Sequence, residues 1–199
     1  MAAINKFHLL SCMQKISKEN DMESFKILYR HYFSKLFRFC ISIIHSKESA
    51  EEIVNDVFIN LWENKDRLHK IENPEVYLYV AVKNQSIAYL KKSRSRETVD
   101  ISTISSNYLI FNIDPEQLMI TEEMKRKIRH TIDQLPPRCK HIFSLIKEDG
   151  LKYKEVASIL NLSVKTVESQ MAIAMKRLIT AILPNTRESV IKLSNRNYK

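Results

Sequence analysis

The fold of this chain is decided by residues 150–178, which read GLKYKEVASILNLSVKTVESQMAIAMKRL. The apolar spacing predicts two helices joined by a turn at residues 161–163, with Ser163 as the N-cap of the second helix. The small side chain of Ala157 lets the two helices cross closely. The side chains expected to face inward are Val156, Ala157, Leu160, Val167, Met171, Ala174 and Leu178. This pattern predicts a helix-turn-helix, in which the start of the second helix faces outward and can contact base edges in the major groove of DNA.

Two packed helices with a short turn also occur in all-α proteins that do not bind DNA, so the motif alone leaves a structural role open. The second helix is expected to expose polar side chains, and serine and glutamine among them are able to contact bases. These exposed residues are Lys165, Thr166, Glu168, Ser169 and Gln170.

The rest of the chain is predicted to be helical as well. It has one glycine and five prolines in total, too few for the tight hairpins that join β-strands. A long amphipathic helix is predicted over residues 25–44, with Asn20 and Glu23 as its capping box. A second helix is expected after the cap residue Ser46, and a third after the cap residue Asn73. The fold class is therefore predicted to be all-α.

The helical pattern is interrupted once over a long stretch. Residues 95–118 lose helical periodicity and contain several serines, Thr103 and an Asp114-Pro115 break, which is typical of a linker. We therefore predict two small helical domains joined by a flexible linker. The expected bounds are 1–95 for the first domain, 96–118 for the acidic linker, 119–183 for the second domain and 184–199 for a basic tail.

The charge of the chain favours a polyanionic partner. Lysine and arginine number 32 against 23 aspartates and glutamates, which gives a net charge of +9. The charges also alternate in blocks: residues 47–66 hold six acidic and two basic residues, 83–96 hold five basic and no acidic ones, and 97–124 hold six acidic and no basic ones. Such blocks indicate surfaces for different partners, although a charged run is also what any solvated helix face shows.

Several functional classes find no support in the sequence. The three cysteines and six histidines have no metal-ligand spacing, and no serine, histidine and aspartate order suggests a hydrolase. A single glycine excludes a glycine-rich phosphate loop. We therefore expect no metal, no cofactor and no enzyme activity. Scattered cysteines, with no signal peptide and no apolar run approaching about 18 residues, favour a cytoplasmic location.

Three segments together resemble the extracytoplasmic-function group of bacterial sigma factors, small promoter-specificity subunits of RNA polymerase in the sigma-70 family. Residues 135–145 (LPPRCKHIFSL), followed by the helix-turn-helix, resemble region 4, which binds the minus 35 promoter element in that family. Residues 50–62 (AEEIVNDVFINLW) resemble region 2.2, and residues 77–90 (YLYVAVKNQSIAYL) resemble regions 2.3 and 2.4. The segments also follow the order and spacing of the family.

The resemblance implies partners and site residues. The first domain would dock on the β′ clamp helices of core RNA polymerase, the second would lie at the β flap, and both would contact promoter DNA. The residues implied for polymerase docking are Glu51, Glu52, Asn55 and Asp56. Those implied for the minus 10 element are Lys83, Asn84, Lys91, Lys92 and Arg94, with Asn84 lining a pocket for a flipped base. Those implied for the minus 35 element are Lys165, Thr166, Glu168, Ser169, Gln170 and Lys176.

Other features follow from the same resemblance. Residues 64–73 would complete the pocket for the flipped base, and the acidic linker would occupy the RNA exit channel. A further expected partner is an anti-sigma factor, which the resemblance implies to be anchored in the membrane. One departure concerns Glu168 and Gln170, where many members carry arginines, because a glutamate repels phosphate unless it accepts from a cytosine amino group.

Two alternatives stand beside a sigma factor. One is a conventional helix-turn-helix regulator that binds duplex DNA without polymerase, and the other is a protein-interaction module with no DNA role. Neither alternative requires a single-strand pocket beside an acidic docking face. The acidic block at residues 47–66 and the region around Asn84 therefore favour a function in promoter-specific transcription initiation.

Overall fold

The computed structural model describes residues 6–94 and 122–182. All regular structure within these two ranges is helical, which confirms the predicted all-α class. The α-helices are α1 (Lys6–Glu19), α2 (Met22–Ile44), α3 (Lys47–Glu63), α4 (Pro74–Arg94), α5 (Glu122–Asp133), α6 (Pro137–Lys147), α7 (Tyr153–Leu160) and α8 (Val164–Ile182). A 3-10 helix, Lys65–Lys70, lies between α3 and α4. The predicted linker at 96–118 and tail at 184–199 lie outside the described residues.

The chain forms two compact units. The first contains α1 to α4, and the second contains α5, α6, α8 and the start of α7.

Helix α1 is an element that the sequence analysis did not predict. Its buried residues follow the spacing of an amphipathic helix, and they are Leu9, Cys12, Met13 and Ile16. Through this face α1 contacts α2 and the 3-10 helix. The sequence signal was therefore present, but it covers only two turns.

Helix α2 lies at the centre of the first unit and contacts α1, α3 and α4. The predicted apolar stripe is confirmed as buried at Leu28, Tyr32, Leu36, Cys40, Ile41 and Ile44. Four aromatic residues of the same stripe, Phe25, Tyr29, Phe33 and Phe37, are only half-buried. We call these four, together with Phe58 and Trp62 of α3, the aromatic seam. Its ring centroids lie 4.8 Å apart for Tyr29 and Phe58 and 5.2 Å apart for Phe25 and Trp62.

The predicted capping box of α2 is wrong. Asp21, not Asn20, is the N-cap, and its carboxylate accepts hydrogen bonds from the backbone N–H groups of Glu23 and Ser24 at 3.1 and 3.3 Å. The Ser24 hydroxyl also donates to this carboxylate and lowers the pKa of Asp21. Asn20 instead adopts φ 53°, a left-handed conformation that asparagine tolerates better than most residues. Its role is to turn the chain between α1 and α2.

The other predicted caps are confirmed. The Ser46 hydroxyl accepts from the Ser49 N–H at 3.3 Å, and the Asn73 side-chain oxygen accepts from the Val76 N–H at 3.3 Å. A side-chain cap satisfies one of the backbone donors that the first turn of a helix leaves without a partner. These two caps fix where α3 and α4 begin.

The core of the second unit forms where α5 and α6 pack on α8. The buried ammonium of Lys140 is paired with the Asp133 carboxylate at 2.8 Å, which links α6 to the end of α5. The Arg177 guanidinium donates to the Gln134 carbonyl at 2.9 Å and so satisfies an acceptor at the same helix end. These two contacts stabilise the junction between α5 and α6. Removing Asp133 would be strongly destabilising, because it would leave the charge of Lys140 buried without this partner.

The stability of the second unit is expected to fall in mild acid. Burial lowers the pKa of His141 in α6 to about 4. Because an unperturbed histidine has a pKa of about 6.5, the unfolded chain binds a proton between those two values that the folded chain does not. The free energy of unfolding should therefore decrease as the pH falls through this window, by up to about 3 kcal/mol.

Amide hydrogen exchange of α6, measured between about pH 7 and pH 5, checks this expectation. His141→Gln should flatten the pH dependence of the opening free energy, whereas His130→Gln, an exposed control in α5, should leave it steep. Equal slopes in the two variants would contradict the assignment to His141.

Candidate nucleic-acid interface and docking face

The helix-turn-helix is present with its predicted turn. Asn161 adopts φ 56° and ends α7, and the Ser163 hydroxyl accepts from the Thr166 N–H at 3.0 Å to begin α8. Val156, Ala157, Val167, Met171, Ala174 and Leu178 are buried as predicted, while Leu160 is half-buried. The start of α8 therefore presents its opposite side to solvent.

The six predicted minus 35 residues do not share one line of α8. Lys165, Ser169 and Lys176 are exposed, and spacings of four and seven residues place them one above another along the helix. Glu168 is exposed on one flank of this line, and half-buried Gln170 lies on the other. The backbone oxygen of Gln170 accepts from the Cys139 thiol of α6 at 3.2 Å. The line of exposed side chains and the flank beside α6 are thus separate features.

Two hydroxyls at the start of α8 are engaged within the protein. The Thr166 hydroxyl lies 2.8 Å from that of Ser163, and the Ser169 hydroxyl donates to the Lys165 carbonyl at 2.8 Å. A hydroxyl has one proton to donate and lone pairs that accept. Ser169 is therefore set up to accept a hydrogen bond from a base rather than to donate one.

The predicted minus 10 residues divide between different faces of α4. Asn84 and Lys91 are exposed and lie seven residues apart, which places them on one line with exposed Tyr77. Lys83 is half-buried and points away from that line, because adjacent residues are about 100° apart around a helix. Arg94 is the last residue of α4. Tyr77 is not among the predicted minus 10 residues, although its spacing of seven residues from Asn84 was a visible signal.

Lys92 lies in a different setting from Lys91. It lines a groove of about 700 Å³ between α3 and α4, together with Glu52 and Asp56 of the predicted docking set. The remaining lining residues are Ile53, Gln85, Ala88, Tyr89 and Ser93. The two carboxylates partly offset the positive charge of Lys92. Lys92 therefore attracts a phosphate less strongly than a lysine without acidic neighbours would.

The segment predicted to complete the base pocket packs against α1. Within residues 64–73, the 3-10 helix buries Leu68. The Ser17 hydroxyl of α1 lies 3.1 Å from the His69 Nδ1 and 3.3 Å from the Asp66 carbonyl oxygen. The unpredicted helix α1 therefore anchors this segment.

The predicted docking residues lie on α3, and the structure adds an apolar residue to them. Glu51, Glu52 and Asp56 are exposed, while Asn55 is half-buried. Ile59 is 54% exposed one turn beyond Asn55. Spacings of three and four residues place Ile59 between Asp56 and Glu63 on the same side of α3.

The described residues show no sign of a metal site or of a membrane span. Within them, no group of histidine, cysteine, aspartate and glutamate side chains is placed to hold a metal ion. No helix in the same part of the chain is long and apolar enough to cross a membrane.

The geometry of α4 predicts different effects for two adjacent lysines on binding of single-stranded DNA. Lys91→Ala should weaken binding and reduce the slope of log affinity against log salt by about 0.7, the value for one phosphate contact on a single strand. Lys92→Ala, the matched control, should have the smaller effect on the slope because Lys92 lies beside Glu52 and Asp56. Fluorescence anisotropy of a labelled oligonucleotide across salt concentrations measures both, and the reverse ranking would contradict this geometry.

Comparison with known families identifies two regions of this chain. Residues 28–96 match "Sigma-70 region 2", and residues 125–178 match "Sigma-70, region 4". The first match extends from α2 to just past the end of α4, and the second extends from α5 into α8.

Curated relatives cover most of the chain at low identity. The RNA polymerase sigma-H factor of Pseudomonas aeruginosa is 23% identical over 180 residues, which cover 86% of this chain and 93% of the relative. The ECF RNA polymerase sigma factor SigW of Bacillus subtilis is 24% identical over 161 residues, covering 77% and 86%. The ECF RNA polymerase sigma-E factor of Escherichia coli is 24% identical over 177 residues, covering 85% and 92%.

Solved structures of sigma factors are among those that share the fold. The sigma factor RpoE, in complex with the anti-sigma factor NepR from Bartonella quintana, has a TM-score of 0.54 at 19% identity and covers 82% of this chain and 99% of its own. CnrH, in complex with the cytosolic domain of CnrY, has a TM-score of 0.51 at 14% identity and covers 92% and 99%.

Proposed function

This chain belongs to the extracytoplasmic-function group of the sigma-70 family, and we propose that it binds core RNA polymerase and directs promoter-specific initiation of transcription. The observation that carries this proposal is that both family regions occur in order, one in each compact unit. Each unit also presents a surface suited to its role.

The first unit combines a docking face with a face for single-stranded DNA. The docking face is the exposed side of α3 with Glu51, Glu52, Asn55 and Asp56, whose negative charge suits a basic polymerase surface. The line of Tyr77, Asn84 and Lys91 on α4 would bind the melted minus 10 strand. Extruding a base from the stack costs a few kcal/mol. Hydrogen bonds from Asn84 and phosphate contacts from Lys91 would offset this cost.

The second unit would bind the minus 35 element as duplex. The exposed line of Lys165, Ser169 and Lys176 on α8 supports phosphate and base contacts in the major groove. Glu168 on the flank would accept from a cytosine amino group. Gln170 lies beside α6, and its side-chain amide would contact a base edge from this position.

We assign no catalytic step to this chain. Its role is to position polymerase on DNA, and membership of a family of initiation factors supports this. Because core polymerase and the chromosome are cytoplasmic in bacteria, we place the protein there.

An anti-sigma factor is the proposed regulator. Of the two solved structures, RpoE is in complex with the anti-sigma factor NepR, and CnrH is in complex with the cytosolic domain of CnrY. A partner that covers the docking face of α3 would block polymerase binding. We propose this mode of control for the present chain, with a membrane-anchored partner as the form to search for.

Transcription in vitro tests the function. Core RNA polymerase with fragmented genomic DNA should give transcript starts that depend on this protein and share minus 10 and minus 35 elements. Absence of such starts with several bacterial cores, together with tight and salt-dependent duplex binding by the protein alone, would instead indicate a conventional helix-turn-helix regulator.

Two α8 variants separate sequence recognition from electrostatic attraction. Lys176→Ala should weaken duplex binding uniformly across sequences and reduce the salt slope by about 1, as expected for one lost phosphate contact. Gln170→Ala should reduce the preference for the cognate minus 35 sequence over a scrambled duplex, by about 1 kcal/mol or more. Binding of both variants to cognate and scrambled duplexes measures the two effects, and an equal effect of both variants on both duplexes would be inconsistent with these roles.

A further inference from the structure

The side-chain amide of Asn55 on α3 is held by one residue of α2. The Tyr29 hydroxyl donates to the Asn55 Oδ1 at 3.0 Å in a partly buried contact. Among the described residues this is the one hydrogen bond that the Asn55 side chain makes. A carboxamide has an acceptor oxygen on one side and two N–H donors on the other. With its oxygen turned toward α2, Asn55 directs its Nδ2 donors away from α2.

The position of the Tyr29 hydroxyl is fixed by the aromatic seam. The Tyr29 ring packs against Phe33 and Phe58, with centroid distances of 5.0 and 4.8 Å. Burial, together with the negative charge of Glu51, raises the pKa of the Tyr29 phenol, so that it keeps the proton that it donates. The tyrosine is therefore a rigid donor, and the more mobile amide must align to it.

We propose that Tyr29 is a positioning residue for polymerase docking, which holds Asn55 so that its Nδ2 donors face the partner. This inference rests on the proposed function, because it assumes that the exposed face of α3 meets core polymerase. Glu51, Glu52 and Asp56 offer only acceptor oxygens when ionised, so Asn55 supplies a fixed donor among them. The surface thus fits a polymerase segment that places an acceptor oxygen among cationic side chains.

The test is a double-mutant cycle on the affinity of the full chain for core polymerase, with melting temperatures measured in parallel. Tyr29→Phe keeps the ring and removes the hydroxyl, and should weaken binding about 3- to 10-fold, the range for one hydrogen bond. Asn55→Ala should weaken binding at least as much, and Tyr29→Phe should then cause no further loss. Asn55→Asp retains an acceptor for Tyr29 but removes the donor, and should also bind weakly.

Tyr32→Phe is the matched control. It removes a hydroxyl from a fully buried tyrosine of the same helix, which a partner cannot contact, and it should leave the affinity for polymerase unchanged. A loss from Tyr29→Phe that is the same with and without Asn55, or no loss at all while the unaltered chain binds core, would overturn the positioning role alone. Failure of the unaltered chain to bind any core would overturn the proposed function and the docking role with it.

A measurement on the isolated chain tests the contact without polymerase. In the ¹⁵N-labelled protein, Tyr29→Phe should shift the Asn55 side-chain amide resonances, while the control Tyr32→Phe should not. Close proximity of those amide protons to the Tyr29 ring would mean that the nitrogen rather than the oxygen faces Tyr29, and would overturn the inference.

Discussion

The arrangement of the first unit depends on α2, which packs against three other helices at once. A helix with three neighbours must bury most of its circumference, and this explains why α2 carries both a buried stripe and the half-buried aromatic seam. Because α3 and α4 are both placed by α2 and by each other, an acidic helix and a basic helix lie side by side. The proposed docking and strand-binding surfaces consequently belong to one compact unit rather than to two separate modules.

The parts of the fold that could be predicted from sequence are those with local causes. Apolar periodicity placed α2, α3, α4 and the helix-turn-helix, and the caps at Ser46, Asn73 and Ser163 depend on residues only three positions away. The capping error arose because Asn20 and Asp21 are adjacent residues of similar capping preference, and only the backbone conformation separates them. Helix α1 was missed because its apolar pattern spans two turns, a length at which periodicity carries little information.

The candidate sites show the same division. Sequence placed the acidic and basic residues on the correct helices, but it could not show which of them share a surface. Lys91 and Lys92 are neighbours in sequence, yet one lies on the line of Asn84 and the other in the groove with Glu52 and Asp56. The contact between Tyr29 and Asn55 joins residues 26 positions apart, so no local pattern encodes it. Such pairings depend on tertiary packing, which a linear motif does not specify.

The corners of the described chain are turned largely without glycine. Asn20, His45 and Asn161 all adopt positive φ, and Gly150 is the single glycine of the sequence. A left-handed conformation costs a residue other than glycine roughly 1–2 kcal/mol, but such a residue also has fewer conformations to lose on folding. Helix junctions of this kind resist bending more than glycine hinges do. We therefore expect these corners to keep their conformation when the protein binds promoters of differing geometry.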